Sequence, residues 1–257
     1  MQTGFEAHEI EFWRVSKRFQ LHEGRSLREF VPALLRARDR PEPFYALRDV
    51  TFTIGRGETV AIIGPNGSGK STILKLMAGV MAPSEGELRV AGRVSPLIEL
   101  GAGFHPDLTG RENVYLNACI LGMSGKEAKD RFDEIVSFAE LWDFIDTPVK
   151  RYSSGMYARL GFSVAVHSNP DLLLVDEVLS VGDASFEEKC LVKMHDFQAL
   201  GTTIVVVSHS TDLVRKFCHR VLLMEGGHLV ADGDPEETIG RYLERLVPQG
   251  EMASSGH

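Results

Sequence analysis

One glycine-rich loop constrains the fold of this chain more than any other segment: Gly64-Pro65-Asn66-Gly67-Ser68-Gly69-Lys70-Ser71. It fits the pattern G-x-x-x-x-G-K-[ST]. An apolar run of strand type precedes it at 59–63, and a run of helical type follows it at 71–78. Glycines let several backbone N–H groups point at one anion, and the following helix adds its positive dipole end. The segment therefore predicts a phosphate-binding loop, and the alternative is a glycine-rich turn that binds nothing.

The side chains of this loop take defined roles when the ligand is a nucleotide. Lys70 can reach the β- and γ-phosphates, and the Ser71 hydroxyl can ligate Mg²⁺. We therefore expect a nucleotide and Mg²⁺ as cofactors. The expected nucleotide contacts come from the loop and the start of the helix: Gly64, Pro65, Asn66, Gly67, Ser68, Gly69, Lys70, Ser71 and Thr72.

Length and composition are those of a globular α/β protein. The 257 residues suit one large domain or two intimately packed lobes, with 43% hydrophobic and 25% charged residues. A net charge of −8 argues against nucleic acid as a partner. No apolar run reaches bilayer length, and the first residues lack the regions of a signal peptide. Cys119, Cys190 and Cys218 form no metal or redox motif, which predicts buried, reduced thiols in the cytosol.

The rest of the chain alternates between strand and helix signals. Residues 105–167 are mostly helical in pattern, and Thr109 and Glu112 have the spacing of a capping box. The apolar runs at 172–175 and 203–207 are typical of strands buried on both faces. Further expectations are strands near 10–15 and 46–54, a hairpin turning at Gly226-Gly227, and a short amphipathic helix over 235–246.

Two carboxylates and a histidine stand at the ends of buried strands. Asp176 ends the strand 172–176, where it can hold Mg²⁺ directly or through water. Glu177 follows, where a carboxylate can polarise an attacking water. His209 closes the next strand, at the sheet edge where α/β folds bind ligands, and it could hydrogen-bond the γ-phosphate. The alternatives are a solvated strand end for the acidic pair and a structural role for the histidine.

A polar segment links this chain to a family. Tyr152-Ser153-Ser154-Gly155-Met156 precedes a helical run, and Asp176 follows 20 residues after Met156. The arrangement resembles the signature motif of ABC-transporter ATPases, usually L-S-G-G-Q, through Ser153 and Gly155. Without that resemblance, the segment could be a polar turn that caps a helix.

The resemblance covers about 8–245 and implies an α/β fold: a P-loop ATPase core with a mixed β-sheet, an antiparallel β subdomain and a helical subdomain. It implies an ATPase domain over 8–245, with the helical subdomain at about 105–167 and a flexible tail at 246–257. ATP is then the nucleotide, Asp183 is the aspartate of the D-loop, and His209 is the switch histidine. Phe19 is the aromatic residue that stacks on adenine, with Tyr45 as the weaker candidate, and for either residue the alternative is simple core packing.

Departures from the common pattern narrow the resemblance. The residues after Glu177 are Val-Leu-Ser-Val-Gly-Asp rather than Pro-Thr-Ser-x-Leu-Asp, and Glu99 replaces the usual Q-loop glutamine. These variants resemble the ATPase subunits of bacterial polysaccharide exporters, which handle O-antigen, capsule and teichoic-acid polymers. Glu99 could still ligate Mg²⁺, although its charge would also repel the γ-phosphate.

An insertion at 21–43 is similar to an element of some of these exporters. Ser26 and Glu29 form a second capping-box pattern, and five apolar side chains between 27 and 35 fall on one helical face. Pro32 predicts a kink there or a later helix start. Two interpretations stay open: a helix packed on its own domain, and a helix near the membrane with arginines facing lipid phosphates or the transporter subunit.

The resemblance also implies an assembly. Two copies would face each other head to tail, with each ATP held by 64–71 of one copy and by Ser153, Ser154 and Gly155 of the other. The homodimer would drive a separate polytopic membrane subunit from the cytoplasmic face of the inner membrane, contacting it through 99–106 and the helical region that follows.

We expect the polysaccharide to be contacted only indirectly, because the chain ends before the carbohydrate-binding domain that some relatives append. The alternatives are an ABC transporter for another substrate, a soluble ABC protein of translation or DNA repair, and a small-molecule kinase or GTPase.

Overall fold

The protein was analysed as a computed structural model that describes residues 8–20, 43–98, 100–176 and 183–246. The predictions for Glu99, for Glu177, for the inserted segment except its last residue, and for the tail beyond 246 lie outside these residues.

A mixed sheet of six strands forms the centre of the described structure, in the order β5-β6-β7-β3-β8-β9. Every neighbouring pair is parallel except β8 and β9. All five residues of β3 and of β7 are buried, which agrees with sequences that are apolar after the first threonine of each strand. The strands are β3 (Thr59–Ile63), β5 (Val94–Leu97), β6 (Leu172–Asp176), β7 (Thr203–Val207), β8 (Arg220–Glu225) and β9 (His228–Gly233).

A second, antiparallel sheet packs against the first through a helix. Its strands are β1 (His8–Phe19), β2 (Phe44–Gly55) and β4 (Glu85–Val90), in the order β2-β1-β4. Its inner face buries Phe12, which stacks on Phe52 with 4.4 Å between ring centroids. These residues join one core with α1 (Lys70–Met77) and with one face of the central sheet.

Seven further α-helices lie in the part of the chain that the structure describes. Helices α5 and α6 cover the other face of the central sheet, around Phe162 and Phe186. Helices α2 to α4 form a separate core with Leu160 and Val164 of α5. The helices are α2 (Gly110–Ile120), α3 (Gly125–Asp130), α4 (Phe132–Ala139), α5 (Ser154–Val166), α6 (Ala184–Ala199), α7 (Thr211–Phe217) and α8 (Pro235–Leu246).

This architecture confirms the predicted fold class, with mixed sheet, antiparallel sheet and helical region all present. The capping box is also confirmed, because the Glu112 N–H donates to the Thr109 hydroxyl (3.2 Å) and the Thr109 N–H donates to the Glu112 carboxylate (2.8 Å). The hairpin turns at Gly226-Gly227 with φ of 55° and 84°, as a two-residue turn of type I′ requires. None of the described helices is long and apolar enough to cross a bilayer.

The cysteine prediction holds at two positions and is wrong at one. Cys190 and Cys218 are buried, and burial raises the pKa of each thiol to about 12. Cys119 is exposed, because it lies on the outer side of α2 next to the exposed Ile120.

Candidate functional site

The phosphate loop runs from the carboxyl end of β3 to the start of α1. Gly69 immediately precedes the helix with φ of 105°, a conformation that favours glycine. A Cβ atom there would lie 2.6 Å from Leu47 Cδ2 and 2.7 Å from the Ala46 carbonyl oxygen. Only glycine therefore lets the loop turn into the helix at this close contact with β2.

The start of α1 is a potential anion site. No side chain of the described residues caps this helix, so its first N–H groups have neither an intrahelical acceptor nor a side-chain one. Such groups, together with the helix dipole, attract a phosphate.

Lys70 folds back over the loop. Its Nζ donates to the carbonyl oxygens of Gly64 (2.8 Å) and Pro65 (2.9 Å), and only 7% of the residue is exposed. Burial lowers the pKa of Lys70, and the negative charge of Asp176 partly offsets that effect. The Lys70 ammonium group thus lies at the start of α1. A phosphate bound there would bring negative charge close to both the ammonium group and the positive end of the helix dipole.

Asp176 ends β6 and pairs with Val207 of β7 in the parallel register. Partial burial raises the pKa of Asp176, and the positive charges of Lys70, Lys75 and His209 act in the opposite direction. The site therefore holds an acidic group whose charge burial disfavours, which is typical of functional carboxylates.

We predict that Asp176→Asn stabilises the ligand-free protein at pH 7. A pKa raised by folding stabilises the protein below the unfolded pKa, and that contribution disappears as the pH rises through the folded pKa. At pH 7 the native state therefore carries an unfavourable charge that asparagine removes. Thermal unfolding at pH 7 should show a midpoint above that of wild type, and the difference should shrink as the pH falls through the raised folded pKa and vanish below the unfolded pKa of about 3.9. A lower midpoint at pH 7 would contradict the prediction.

A cavity of about 280 Å³ lies next to the phosphate loop, and residues of both sheets line it. Asp176 lines it from the last residue of β6, and His209 lines it from two residues beyond the end of β7, which stops at Val207 rather than at the predicted histidine. The lining residues are Phe19, Phe44, Ala46, Asn66, Gly67, Gly69, Lys70, Ser71, Thr72, Asp176, Val207 and His209. Nine of the predicted site residues thus meet around one space.

The Mg²⁺ expectation fits the oxygen groups of this cavity. The Ser71 hydroxyl and the Asp176 carboxylate both line it, and Mg²⁺ prefers oxygen ligands with several positions left for water and phosphate.

The aromatic end of the cavity contains a residue that the sequence analysis missed. Phe19 and Phe44 are partners in the β1–β2 register, so their rings lie on the same face. They are 37% and 50% exposed, and both line the cavity. Tyr45 is not among the lining residues, and the Arg48 guanidinium lies 4.9 Å from the centre of its ring. The start of β2 does not alternate cleanly, since Ala46 and Leu47 are both buried, so the sequence pattern offered no clear signal for Phe44.

Other predicted residues lie apart from the cavity lining. Gly64, Pro65 and Ser68 belong to the loop but are not part of that surface. Ser153 caps α5, since its hydroxyl accepts from the Met156 N–H (3.2 Å). Ser154 is exposed at the first position of that helix, and Gly155 follows it.

Asp183 lies at the start of α6, also outside the cavity lining. Its carboxylate accepts from the Phe186 N–H (3.0 Å) and from Arg159 of α5 (3.3 Å). Arg159 also donates to Glu140 at the end of α4 (3.2 Å). A single arginine therefore joins the signature helix to the residue predicted for the D-loop.

Comparison with known proteins now identifies the family. The sequence profile of the ABC transporter family matches residues 47–180, from β2 past the end of β6. The chain belongs to the ABC transporter family. The strand, loop and helix around Lys70 and the strand that ends at Asp176 both fall inside the matched region of this ABC ATPase.

Individual relatives carry names from polysaccharide export. An O-antigen export system ATP-binding protein of Klebsiella pneumoniae is 46% identical over 93% of this chain and 98% of its own length. A protein of the same name from Myxococcus xanthus is 51% identical over 78% of this chain, but the match spans only 46% of that relative. A teichoic acids export ATP-binding protein of Listeria innocua is 44% identical over 91% of this chain and 70% of its length.

Solved structures of cassettes share the fold of this ABC ATPase. A dimeric ATP-binding cassette in a post-hydrolysis state with ADP and Pi superposes with a TM-score of 0.70 and 26% identity, covering 88% of this chain and 98% of that one. The ATP-binding subunit of another ABC transporter gives a TM-score of 0.72 at 23% identity, and this likeness concerns the fold alone.

Proposed function

We propose that this protein is the ATP-hydrolysing subunit of an ABC transporter that exports a lipid-linked polysaccharide of the O-antigen or teichoic-acid type. The observation that carries the ATPase assignment is the single cavity shared by the phosphate loop, Asp176, His209 and two aromatic rings. The names of the relatives in O-antigen and teichoic acid export support the substrate class.

Each group around the cavity has a task in ATP hydrolysis. The start of α1 and Lys70 bind the phosphates, while Phe19 and Phe44 orient the base at the opposite end. Ser71 and Asp176 would hold Mg²⁺, which neutralises charge on the terminal phosphates. His209 hydrogen-bonds the γ-phosphate, and Glu177 polarises the water that attacks it.

The proposed assembly is a head-to-tail homodimer. Ser153 and Ser154 are exposed and do not line the cavity of their own subunit, which leaves them available to a nucleotide bound by the other copy. The N-terminus of the 13-residue helix α5 would then face the γ-phosphate across the interface.

The proposed membrane partner is a polytopic subunit, with this protein peripheral on the cytoplasmic face of the membrane. Its contact surface would be the loop 99–106 and the adjoining side of α2. Ile120 of α2 is 58% exposed and approaches this loop, since a Cβ atom at Gly103 would lie 2.7 Å from Ile120 Cδ1. Leu116, one turn earlier on α2, is exposed as well, and neighbouring exposed apolar side chains fit a contact with another protein. The polysaccharide would be contacted only by the membrane subunit, and nucleic acid is not an expected partner.

Disruption of this protein in its own organism tests the proposed function. We expect the surface polymer to be lost and its lipid-linked form to accumulate inside the cell. Wild-type protein should restore export, whereas Lys70→Ala should not, because it removes the charge that binds the phosphates. Normal surface polysaccharide after disruption, with loss of a different exported molecule, would overturn the substrate assignment and leave the ATPase assignment standing.

A further inference from the structure

The turn between β8 and β9 contacts two parts of the nucleotide site, the phosphate loop and strand β2. The N–H of Gly227 donates to the carbonyl oxygen of Ser68 in the phosphate loop (3.2 Å). Its own carbonyl oxygen accepts from the N–H of Arg48 in β2 (2.9 Å). One residue of the turn thus bridges the loop and the strand β2 through backbone hydrogen bonds.

The packing at this bridge leaves no room for a side chain. Gly227 has φ of 84°, and a Cβ atom on it would lie 2.9 Å from the Ala46 carbonyl oxygen and 3.2 Å from its carbon. The same carbonyl oxygen lies 2.7 Å from the Cβ position of Gly69 on the loop side. The Ala46 peptide is therefore held between two glycines, one in the phosphate loop and one in the turn.

The two bridged parts contribute different residues to the lining of the cavity. Strand β2 contributes Phe44 and Ala46 to the aromatic end, and the loop leads into Lys70 and Ser71 at the phosphate end. The position of β2 relative to the loop sets the distance between these ends. A nucleotide that binds both ends must match that distance.

We propose that Gly227 is a positioning residue for the nucleotide: it holds β2 at the distance from the phosphate loop that lets one ATP molecule reach both the aromatic rings and the loop. This inference rests on the proposed binding of ATP in the cavity. Gly227 lies outside the phosphate loop, the signature segment and the strand that ends at Asp176. A methyl group on Gly227 would press on β2 rather than on the loop, since both of the closest atoms belong to Ala46.

Gly226 offers a matched control within the same turn. It also has a positive φ, 55°, but a Cβ atom on it would have nothing within 4 Å. Gly226→Ala therefore imposes the backbone strain of the turn without the contact on β2. A difference between Gly227→Ala and Gly226→Ala reports the contact and not the turn.

The experiment compares the affinity of each variant for ATP and for inorganic triphosphate by titration calorimetry. Triphosphate needs only the phosphate end. We expect Gly227→Ala to weaken ATP binding about tenfold, the size of one lost base-stacking contact, and to leave triphosphate binding within about twofold of wild type. Gly226→Ala should leave both affinities within about twofold.

Two results would overturn the proposal: equal losses for ATP and triphosphate in Gly227→Ala, or equal effects of the two alanine variants. If Gly227→Ala does not fold, Gly227→Asn and Gly226→Asn repeat the comparison, because asparagine tolerates positive φ and still carries a Cβ atom. Wild-type protein that binds ATP no more tightly than triphosphate would instead contradict the proposed nucleotide site itself. Failure of the positioning role and failure of the proposed function are therefore distinguishable.

Discussion

Replacing Glu177 by glutamine is expected to reduce ATP hydrolysis by about 10²–10⁴-fold, the usual contribution of a general base. Glutamine has nearly the same shape as glutamate but cannot accept a proton from the attacking water. ATP affinity should stay close to that of wild type, because Lys70 and the loop are unchanged. The measurement is steady-state phosphate release, with nucleotide binding followed separately.

The same variant should accumulate as a dimer in the presence of ATP and Mg²⁺, since the nucleotide that bridges the subunits is no longer cleaved. Light scattering coupled to gel filtration measures this directly. Glu188→Gln is the matched control, because it removes the same charge from an exposed position on α6 that does not line the cavity. Wild-type turnover by Glu177→Gln would exclude Glu177 as the base.

Ser154→Arg should abolish hydrolysis and leave nucleotide binding by the isolated subunit intact. Ser154 is exposed at the first position of α5 and is absent from the lining of its own cavity. A bulky cation there would keep the second subunit from closing on the γ-phosphate. We expect a loss of about 10²-fold or more in turnover, comparable with removal of a group that stabilises the transition state.

Protein concentration provides the diagnostic readout for Ser154→Arg. Hydrolysis per subunit should rise cooperatively with concentration in wild type, and it should stay low at every concentration in the variant. Ser154→Ala serves as the control, since it keeps α5 capped by Ser153 and adds no bulk. Full activity of Ser154→Arg would rule out a site shared between subunits.

The phosphate end of the cavity could be predicted because its signals are local. The loop, its flanking strand and helix, and the strand that ends at Asp176 are each contiguous in sequence. Parallel strands bring Asp176 and His209 to the same sheet edge, so position along each strand was enough to place them.

The aromatic end could not be predicted in the same way, because it depends on strand register. The β1–β2 pairing shifts register between Phe12 and Val15 and again near Lys17, and each shift changes which side chains share a face. Phe44 and Tyr45 are adjacent, so the register decides which of the two side chains faces the cavity. Propensity cannot distinguish them, because both residues are aromatic and favour strands equally.

The cysteine result and the signature segment show two further limits of sequence reasoning. Whether Cys119 is buried depends on which side of α2 faces the helical core. That side carries Val114 and Ala118, so Cys119 is left exposed. For Ser153, capping a helix and facing a partner's nucleotide are compatible roles. The hydroxyl that caps α5 stands at the helix end proposed to meet the phosphate.

The contacts of Arg159 connect two parts of the proposed dimer interface. The guanidinium ties α5 to both Glu140 and Asp183, and it packs 5.0 Å from the ring centre of Phe186. In the proposed dimer, the signature helix and Asp183 of each subunit would thus move together as one rigid unit. Separation of the paired subunits should then be concerted, with both sets of intersubunit contacts released in a single step.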